Sequence, residues 1–354
     1  MSQKIIEGIE QAMPLIHGKK MLLVRDYAYG CLSVKDFFDG IPHVEFSDFT
    51  PNPLYEQVCE GIRLFNEENC EIIVAVGGGS TIDVAKCIKL YCKMDSNVNY
   101  LQQEPFDTGI TLIAVPTTAG TGSESTRHAV IYYEGQKQSI SHISIIPDYA
   151  VLECPVLRTL PDYQKKCTMM DALCQAIESW WSVNSTEESK GYSREAVLLI
   201  KENWQEYLKG YTSKVAGSIM KAANLSGQAI NITATTAAHA MSYKLTSMYR
   251  LPHGHAVAIC MPEVWKYILG HVKDCIDSRG SSYLEKTLDE ISAVADLEWF
   301  CGIMEKLDMG YPVSGRRESD IKELVKSVNL LRLKNNPVAL TNEILQEMYG
   351  RIVK

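Results

Sequence analysis

The sequence predicts an α/β domain with a parallel β-sheet, followed by an all-helical domain. Before Pro147, short β-branched runs alternate with amphipathic stretches, which is typical of strands paired in parallel through helical crossovers. Three prolines then fall between residues 147 and 161, and beyond them the pattern is nearly continuous amphipathic helix. We therefore place the boundary in this proline-rich segment, with a first domain over residues 1–155 and a second over residues 156–354.

Length, charge and cysteine usage limit the classes of protein that this chain can be. Its 354 residues correspond to roughly two domains at about 150 residues each. A net charge of −8 argues against nucleic acid or an anionic membrane as a partner, because both require a basic surface. The chain has no apolar run of about 18 residues, no signal-peptide pattern, and eleven scattered cysteines without a C-x-x-C pair. We expect a cytoplasmic protein with reduced thiols.

Four strands and two helices are predicted in the first domain. The strands are the apolar, β-branched runs Met21–Val24, His43–Phe46, Ile72–Val76 and Thr111–Val115. Leu54–Glu67 and Thr81–Tyr91 carry apolar residues three and four positions apart, as amphipathic helices do. This alternation favours a parallel sheet that is covered by helices.

A glycine-rich turn, Gly77-Gly78-Gly79, directly follows the third predicted strand. Glycines let the backbone turn sharply and approach a ligand closely. Ser80 and Asp83 are spaced to cap the helix that follows, so that its free N–H groups face the turn and favour an anion such as a pyrophosphate. A plain tight turn between strand and helix explains the same residues equally well.

A second turn, Pro116–Glu124, is rich in hydroxyl groups and follows the fourth predicted strand. Ligands of open α/β sheets bind at the carboxyl ends of the strands, so two such turns in neighbouring units favour a nucleotide site. Asp26 follows the first predicted strand, where a carboxylate can accept a hydrogen bond from a ribose hydroxyl and repel a 2′-phosphate. A solvated turn aspartate accounts for Asp26 equally well.

The helical half carries side chains that can ligate a metal. One face of a predicted helix holds Asp171, Cys174, Gln175 and Glu178. Two histidines, His239 and His253, follow farther along the chain. Nitrogen and carboxylate ligands with one open position suit a catalytic divalent metal. Each histidine taken alone is more often structural, and the spacing by itself does not establish a metal site.

Four separated motifs, in this order, resemble those of the iron-containing (group III) alcohol dehydrogenases. They are GGGSTIDVAK at 77–86, PTTAGTGSE at 116–124, DALCQAIES at 171–179 and HAMSYKLTSMYRLPHGHA at 239–256. The resemblance implies the architecture that this family shares with dehydroquinate synthase. In that architecture, an N-terminal dinucleotide-binding α/β domain precedes an all-helical C-terminal domain.

The resemblance implies NAD(H) as the cofactor. Asn52 matches the family's asparagine beside the adenosine, Lys137 matches a lysine near the nicotinamide ribose, and Asp26 matches the acidic position that favours NAD(H) over NADP(H). The two turns match the pyrophosphate loop and a second nucleotide loop. The expected cofactor-binding residues are Asp26, Asn52, Gly77, Gly78, Gly79, Ser80, Asp83, Thr117, Thr118, Thr121 and Lys137.

The resemblance also implies a divalent metal, Fe²⁺ or Zn²⁺, held by an aspartate and three histidines. Asp171, His239 and His253 match three of these positions, whereas Gln175 stands where the family has histidine. A carboxamide oxygen is a weaker ligand than imidazole for these ions, so we expect a lower metal affinity.

Three outcomes stay open at the position of Gln175: a weakly held metal, a water as the fourth ligand, and a site without metal. Two other side chains on the same helix face are alternative ligands. These are Cys174, which we expect instead to pack against its neighbours, and Glu178.

A longer match, from Ser242 to Ala256, is similar to the branch of the family that contains phosphonoacetaldehyde reductases. The resemblance implies reduction of an aldehyde beside a phosphonate to 2-hydroxyethylphosphonate. Lys244, Arg250 and Arg127 are candidates to pair with an anionic head group, which an arginine can bind through two hydrogen bonds. A solvated surface cation is the competing interpretation of each.

The function that these residues predict is hydride transfer between NAD(H) and a small aldehyde or alcohol. The expected catalytic residues are His253, as a ligand of the metal that polarises the carbonyl, and His255, which with water is a candidate to pass the proton. One alternative is an NAD-dependent lyase of the dehydroquinate synthase type. Another, suggested by Gln175, is a catalytically silent nucleotide-binding protein. A homodimer is compatible with the sequence.

Overall fold

The structure is a computed structural model that describes residues 3–311 and 318–353. The chain divides into two compact units: the first runs up to Leu160 and also includes Tyr211–Met220, and the second comprises Pro161–Gly210 and the chain from Lys221 onward. The predicted fold class is confirmed, since the first unit is built on a parallel sheet and the second on helices. The first unit ends at Leu160 rather than at residue 155, and Tyr211–Met220 lies outside the helical unit to which the sequence assigns it.

Eight strands occur in the described part of the first unit. They are β1 (Lys4–Glu7), β2 (Met21–Arg25), β3 (His43–Phe46), β4 (Ile72–Gly77), β5 (Thr111–Pro116), β6 (His128–Tyr133), β7 (Gln136–Ser141) and β8 (Tyr149–Leu152). Six of them form a parallel sheet in the order β1-β8-β5-β4-β2-β3, and β6 and β7 form a separate antiparallel hairpin. All four predicted strands are confirmed, as β2 to β5.

The strands that the sequence did not predict have weak or misleading patterns. β1 is a short edge strand with mostly exposed side chains, and β8 lies inside the proline-rich segment that marks the boundary. β6 and β7 are joined at Glu134 and Gly135, whose φ angles of 49° and 73° fit a two-residue hairpin turn. The Glu-Gly pair between two alternating segments was therefore an available signal for the hairpin.

The sheet of the first unit is packed against helices. Its helices are α1 (Met13–Ile16), α2 (Val34–Asp39), α3 (Tyr55–Glu67) and α4 (Gly79–Tyr91). α3 and α4 confirm the two predicted helices with small shifts of their first residues. β4 is buried along its whole length, and Val58 and Ile62 of α3 belong to the same core. Each fully buried side chain of this size contributes roughly 1.5–3 kcal/mol, so the core fixes the carboxyl end of β4 and the turn that follows it.

The second unit is organised around one buried helix. The helices from Asp162 onward are α5 (Asp162–Trp181), α6 (Glu187–Lys209), α7 (Ser213–Thr233), α8 (Ala237–Tyr249), α9 (His253–Gly270), α10 (Ser281–Val294), α11 (Leu297–Lys306), α12 (Glu318–Ser327), α13 (Leu330–Leu333) and α14 (Asn342–Ile352). Every residue of α5 from Met169 to Trp181 is buried. Because buried polar groups need hydrogen-bond partners, the carboxylates and the carboxamide in this stretch must be satisfied by neighbouring helices.

None of the helices that the structure describes is long and apolar enough to cross a lipid bilayer.

Candidate metal centre and nucleotide site

Three side chains converge in the helical unit with the geometry of metal ligands. They are Asp171 on α5, His239 on α8 and His253 at the start of α9, and one potential ligand atom from each lies within 4.8 Å of the others. Nε2 of His239 is 3.3 Å from Oδ1 of Asp171, and Nε2 of His253 is 3.9 Å from the same oxygen. The side chains of Asp171 and His239 are 4% exposed and that of His253 is 37% exposed, so the cluster has one open side.

Close packing of α9 on α5 brings His253 to Asp171. A Cβ on Gly254 would overlap the carbonyl oxygen of Cys167, so only glycine allows the first turn of α9 to lie this close to α5. The ring of Tyr243 stacks on that of His253, with an interplanar angle of 1° and centroids 5.8 Å apart. Tyr243 was not predicted as a site residue, although it lies one helical turn after His239 and hence on the same face of α8.

Glu178 orients His239 through the ring nitrogen that faces away from Asp171. Its carboxylate accepts hydrogen bonds from the Thr236 hydroxyl and the Ala238 amide, both at 2.8 Å, and from Nδ1 of His239. It thereby satisfies free donors in the first turn of α8 and places a negative charge at that helix terminus. With its proton on Nδ1, His239 can present Nε2 to a metal, which is the usual arrangement of a metal-binding histidine. In this structure Glu178 therefore supports His239, and its role as an alternative ligand stays a prediction.

The negative charges of Asp171 and Glu178 favour the binding of a cation at this cluster. Burial alone would lower the pKa of His239, but the carboxylates of Glu178 and Asp171 raise it to about 9. Burial opposes ionisation of Asp171, yet its hydrogen bond with His239 and the nearby His253 lower the pKa of this carboxyl. The donor set therefore fits a divalent metal, which would supply the positive charge and displace the proton from Nε2 of His239.

Gln175 lies one helical turn after Asp171 and is 4% exposed. Its Oε1 accepts a hydrogen bond from the Ser226 hydroxyl at 3.1 Å, and its side chain also bonds Asp171, where it helps to lower the pKa of that carboxyl. In this structure Gln175 therefore supports a ligand, and its own role as a ligand stays a prediction. Cys174 is fully buried, and burial raises the pKa of its thiol well above the usual value, so it contributes packing.

His255 is buried, and both of its ring nitrogens have partners. Nδ1 is 2.7 Å from the Tyr163 hydroxyl and Nε2 is 3.1 Å from the Gly310 carbonyl oxygen, which requires the proton on Nε2. Burial lowers the pKa of His255, so the ring is neutral and Nδ1 accepts from Tyr163. The role of His255 in proton transfer stays a prediction. No sequence pattern pointed to Tyr163.

The three candidate anion-binding cations have different surroundings. Lys244 on α8 is paired with Glu323 on α12 at 2.6 Å, so its charge is already balanced. Arg250 is exposed and ends α8 in the left-handed conformation, three residues before His253. Arg127 is half-buried in the first unit, between the second turn and β6.

The two predicted turns of the first unit pack against each other. The amide of Thr117 donates to the carbonyl of Gly77 at 3.0 Å, and a Cβ on Gly79 would come within 3.1 Å of the Thr121 side chain. Because β4 and β5 are neighbours in the sheet, both turns leave its carboxyl edge side by side. The free N–H groups at the start of α4 lie at this junction, where an anionic ligand is favoured.

The predicted cap of α4 by Ser80 and Asp83 is wrong. The helix is capped by the extended backbone of Gly78, without a side-chain hydrogen bond. The Ser80 hydroxyl donates instead to the Pro51 carbonyl, and the Asp83 carboxylate accepts from the Ser123 hydroxyl at 2.7 Å. Local spacing could not reveal these bonds, because the partners lie on other loops. Asp83 is thus a support of the second turn, and its direct contact with a cofactor stays a prediction.

Other predicted cofactor residues lie beside the first turn of α4. Oδ2 of Asp26 is 3.5 Å from the Thr81 hydroxyl, and the hydrogen bond from Ser80 brings the Pro51–Asn52 segment to the same helix end. Lys137 is an exposed residue of β7. Burial raises the pKa of Asp83, and the charge of Lys137 is among the influences that oppose this rise. The first unit thus gathers the predicted nucleotide residues around the start of α4, while their contacts with a cofactor stay predictions.

Replacing Glu178 with glutamine tests how the metal centre is held. E178Q keeps the size of the side chain but removes the charge that holds His239, and outer partners of this kind typically contribute roughly 10- to 100-fold to metal affinity. We expect the affinity for Co²⁺, measured by competition with a chelating dye, to fall by about tenfold or more. Glu263→Gln is the control, because Glu263 is also a buried carboxylate of this unit but pairs with Arg351 at 2.6 Å. Equal affinities in the two variants would contradict the role of Glu178.

Replacing Gln175 with histidine tests whether this position limits metal binding. Imidazole is the better ligand for Fe²⁺ or Zn²⁺, and position 175 lies one turn from Asp171, so metal affinity should tighten by about tenfold or more. The same dye competition measures it, with Gln164→His at an exposed position of α5 as the control. If the wild type already binds metal tightly and Gln175→His binds it with the same affinity, Gln175 is a competent ligand.

The chain is similar to known proteins over both of its units. The family description "Iron-containing alcohol dehydrogenase" matches residues 4–154, and "Fe-containing alcohol dehydrogenase family, C-terminal" matches residues 166–353. The probable alcohol dehydrogenase EutG of Escherichia coli is 30% identical over 271 residues, which cover 73% of this chain and 68% of that protein. The phosphonoacetaldehyde reductase of Streptomyces viridochromogenes is 32% identical over 238 residues, which cover 63% of this chain and 60% of that protein.

Solved structures of the same fold extend over nearly the whole chain. The sulfoacetaldehyde reductase from Bifidobacterium kashiwanohense, in complex with NAD⁺, superimposes with a TM-score of 0.87 at 24% identity and covers 99% of this chain and 97% of its own. The two family descriptions together span both units, and the ligand triad and the paired turns fall within them. The chain therefore belongs to the iron-containing alcohol dehydrogenase family.

Proposed function

We propose that this protein reduces a small aldehyde that carries an anionic group, with phosphonoacetaldehyde as the preferred substrate and NADH as the hydride donor. The observation that carries the proposal is the convergence of Asp171, His239 and His253, with ligand atoms within 4.8 Å of one another. A divalent metal bound there supplies a Lewis acid for a carbonyl oxygen, and NADH supplies the hydride. A cytoplasmic location and a homodimer stay predictions.

Each residue of the metal centre has a distinct role in binding that ion. Asp171 contributes charge, and His239 contributes a nitrogen whose direction is set by Glu178. His253 is the exposed member, so it lies at the side that a substrate can reach. Tyr243 keeps the ring of His253 in place by stacking on it. The reduced product needs a proton, for which water at the exposed side of the cluster is the candidate source, while the role of His255 in passing this proton stays a prediction.

The preference for an anionic aldehyde is supported by two relatives and one side chain. The names of the phosphonoacetaldehyde reductase and the sulfoacetaldehyde reductase both denote an acetaldehyde that bears an acidic group. Arg250 is the better placed of the candidates on α8, because it is exposed and close in sequence to His253, whereas Lys244 is paired with Glu323. A guanidinium can bind a phosphonate through two parallel hydrogen bonds.

The choice of NADH over NADPH rests on Asp26. Its carboxylate accepts from the Ala28 amide at 2.9 Å and lies beside Thr81 in the first turn of α4. A 2′-phosphate next to this carboxylate would meet both repulsion and loss of hydration.

A steady-state assay of the metal-loaded protein tests the proposal. Protein loaded with Fe²⁺ or Zn²⁺ without oxygen should oxidise NADH with phosphonoacetaldehyde, with a kcat/KM at least about tenfold above that for acetaldehyde. Arg250→Ala should remove most of this preference, while Lys244→Ala should keep it. His253→Ala should lose more than about tenfold in turnover and still bind NADH, since only the metal centre is changed.

Other outcomes identify the alternatives. Comparable kcat/KM values for NADPH and NADH would contradict the role of Asp26. Tight NADH binding without turnover of any aldehyde would indicate a silent homologue, and substrate conversion without net NADH oxidation would indicate a lyase. Retention of more than about a tenth of wild-type turnover by His253→Ala would contradict the role of the metal ligands.

A further inference from the structure

Lys86 is a buried cation that the proposed chemistry does not use. It lies on α4, about two turns after Gly79, and its side chain is 0% exposed. Its Nζ donates to the Ser123 hydroxyl at 3.1 Å, to the Thr126 hydroxyl at 3.0 Å and to the His128 carbonyl at 2.7 Å. An ammonium group has three hydrogen atoms to donate, so these three acceptors satisfy it completely.

Asp83, three residues earlier on α4, binds the same segment. Its carboxylate accepts from the Ser123 hydroxyl at 2.7 Å and from the Val130 amide at 3.0 Å. The Ser123 hydroxyl therefore donates to Asp83 and accepts from Lys86. Together, Asp83 and Lys86 fix the position of the segment from Ser123 to Val130 through hydrogen bonds. This segment begins at the end of the second turn.

Stability alone does not explain a lysine at this position. Burial lowers the pKa of Lys86 to about 8, although Asp83 and Glu124 work in the opposite direction. Replacing a whole set of paired buried charges by apolar groups of similar volume is often neutral or stabilising, so the burial of these charges is weak evidence for a role in stability. An apolar side chain cannot fix the positions of three oxygen atoms. Two of these belong to Ser123, near the end of the second turn, and to Thr126, two residues after it.

The position of the second turn relative to α4 matters because the two are in close contact. Thr121 lies against Gly79, at the beginning of the helix, and Thr117 is bonded to Gly77. A shift of the second turn by a fraction of an ångström would either close or widen the junction where the free N–H groups of α4 are exposed. Loops held at a ligand site lose less entropy on binding when they are ordered in advance.

We propose that Lys86 is a positioning residue of the dinucleotide site, which holds the second turn in register with the first turn of α4 through Ser123 and Thr126. The inference rests on the proposed use of NADH. The cost of losing Lys86 falls on cofactor binding rather than on the stability of the fold or on the chemical step.

Methionine substitutions at two buried lysines of α4 test this inference. Lys86→Met should raise the Kd for NADH, measured by fluorescence titration, by about tenfold or more, since loss of a charged hydrogen-bonding group typically has that effect. Its KM for NADH should rise in parallel, with kcat at saturating NADH within about twofold of wild type. Lys89→Met is the control, because Lys89 is also buried but pairs at 2.8 Å with Asp148, which accepts from the Leu112 amide at the opposite end of β5 from the second turn. It should leave the Kd for NADH unchanged.

Ser123→Ala alone keeps the test decisive if Lys86→Met folds poorly, and a double-mutant cycle adds a second readout if Lys86→Met folds. Ser123→Ala removes the hydroxyl that links Lys86 to Asp83, and it should also weaken NADH binding. If Lys86 acts through this loop, the double variant should bind NADH little worse than Lys86→Met alone.

The outcomes separate this inference from the proposed function. Wild-type protein that binds no NADH would overturn the proposed function and, with it, the site on which Lys86 acts. Wild-type binding that is retained in Lys86→Met would overturn the inference alone. A lowered melting temperature with an unchanged Kd would show that Lys86 serves only the fold.

Discussion

The hydrogen-bonded contact between the Glu178 carboxylate and the start of α8 is the interaction on which the metal centre depends. α5 is buried on all sides along the stretch that carries Asp171, Gln175 and Glu178, so these polar groups must find partners on neighbouring helices. Glu178 does so by accepting from the Thr236 hydroxyl, the Ala238 amide and the His239 ring. One carboxylate thereby sets the start of a helix and the orientation of a histidine that the site needs.

The first unit has a similar arrangement, in which buried charged residues hold the two turns that are expected to contact a ligand. The glycine turn and the hydroxyl-rich turn are the exposed elements, and they touch at Gly79 and Thr121. Behind them, Asp83 and Lys86 fix the end of the second turn through Ser123. In both units the residues expected to contact ligands are thus supported by buried ions one layer away, which is where a mutation would alter affinity without removing a contact.

Sequence reasoning located the elements whose signals are local, and it missed those that depend on distant partners. β4 was predictable because a central strand covered on both faces is a continuous apolar run. β1 was not, because it is an exposed edge strand stabilised by pairing with β8, more than a hundred residues away. Asp171, His239 and His253 were predicted as ligands through the resemblance of their motifs to those of a known family, because their spacing alone does not establish a metal site.

The partners of those residues were not recognisable, for a physical reason. Ser80 and Asp83 have the spacing of a helix cap, yet tertiary hydrogen bonds to Pro51 and Ser123 outcompete that local role. Glu178 was visible as a carboxylate on the face of Asp171, but its pairing with His239 depends on how two helices pack. Hydrogen bonds between segments distant along the chain leave no periodic pattern in a single sequence.

The central claim is that the helical unit holds a divalent metal through Asp171, His239 and His253. The most direct test is the metal content of the protein after it is purified without chelators, reloaded with Fe²⁺ or Zn²⁺ without oxygen, and freed of excess ion. We expect about one metal ion per chain in the wild type, as for other single catalytic sites, and little in His239→Ala. Absence of bound metal in the wild type under every loading condition, or equal metal content in the two proteins, would contradict the claim.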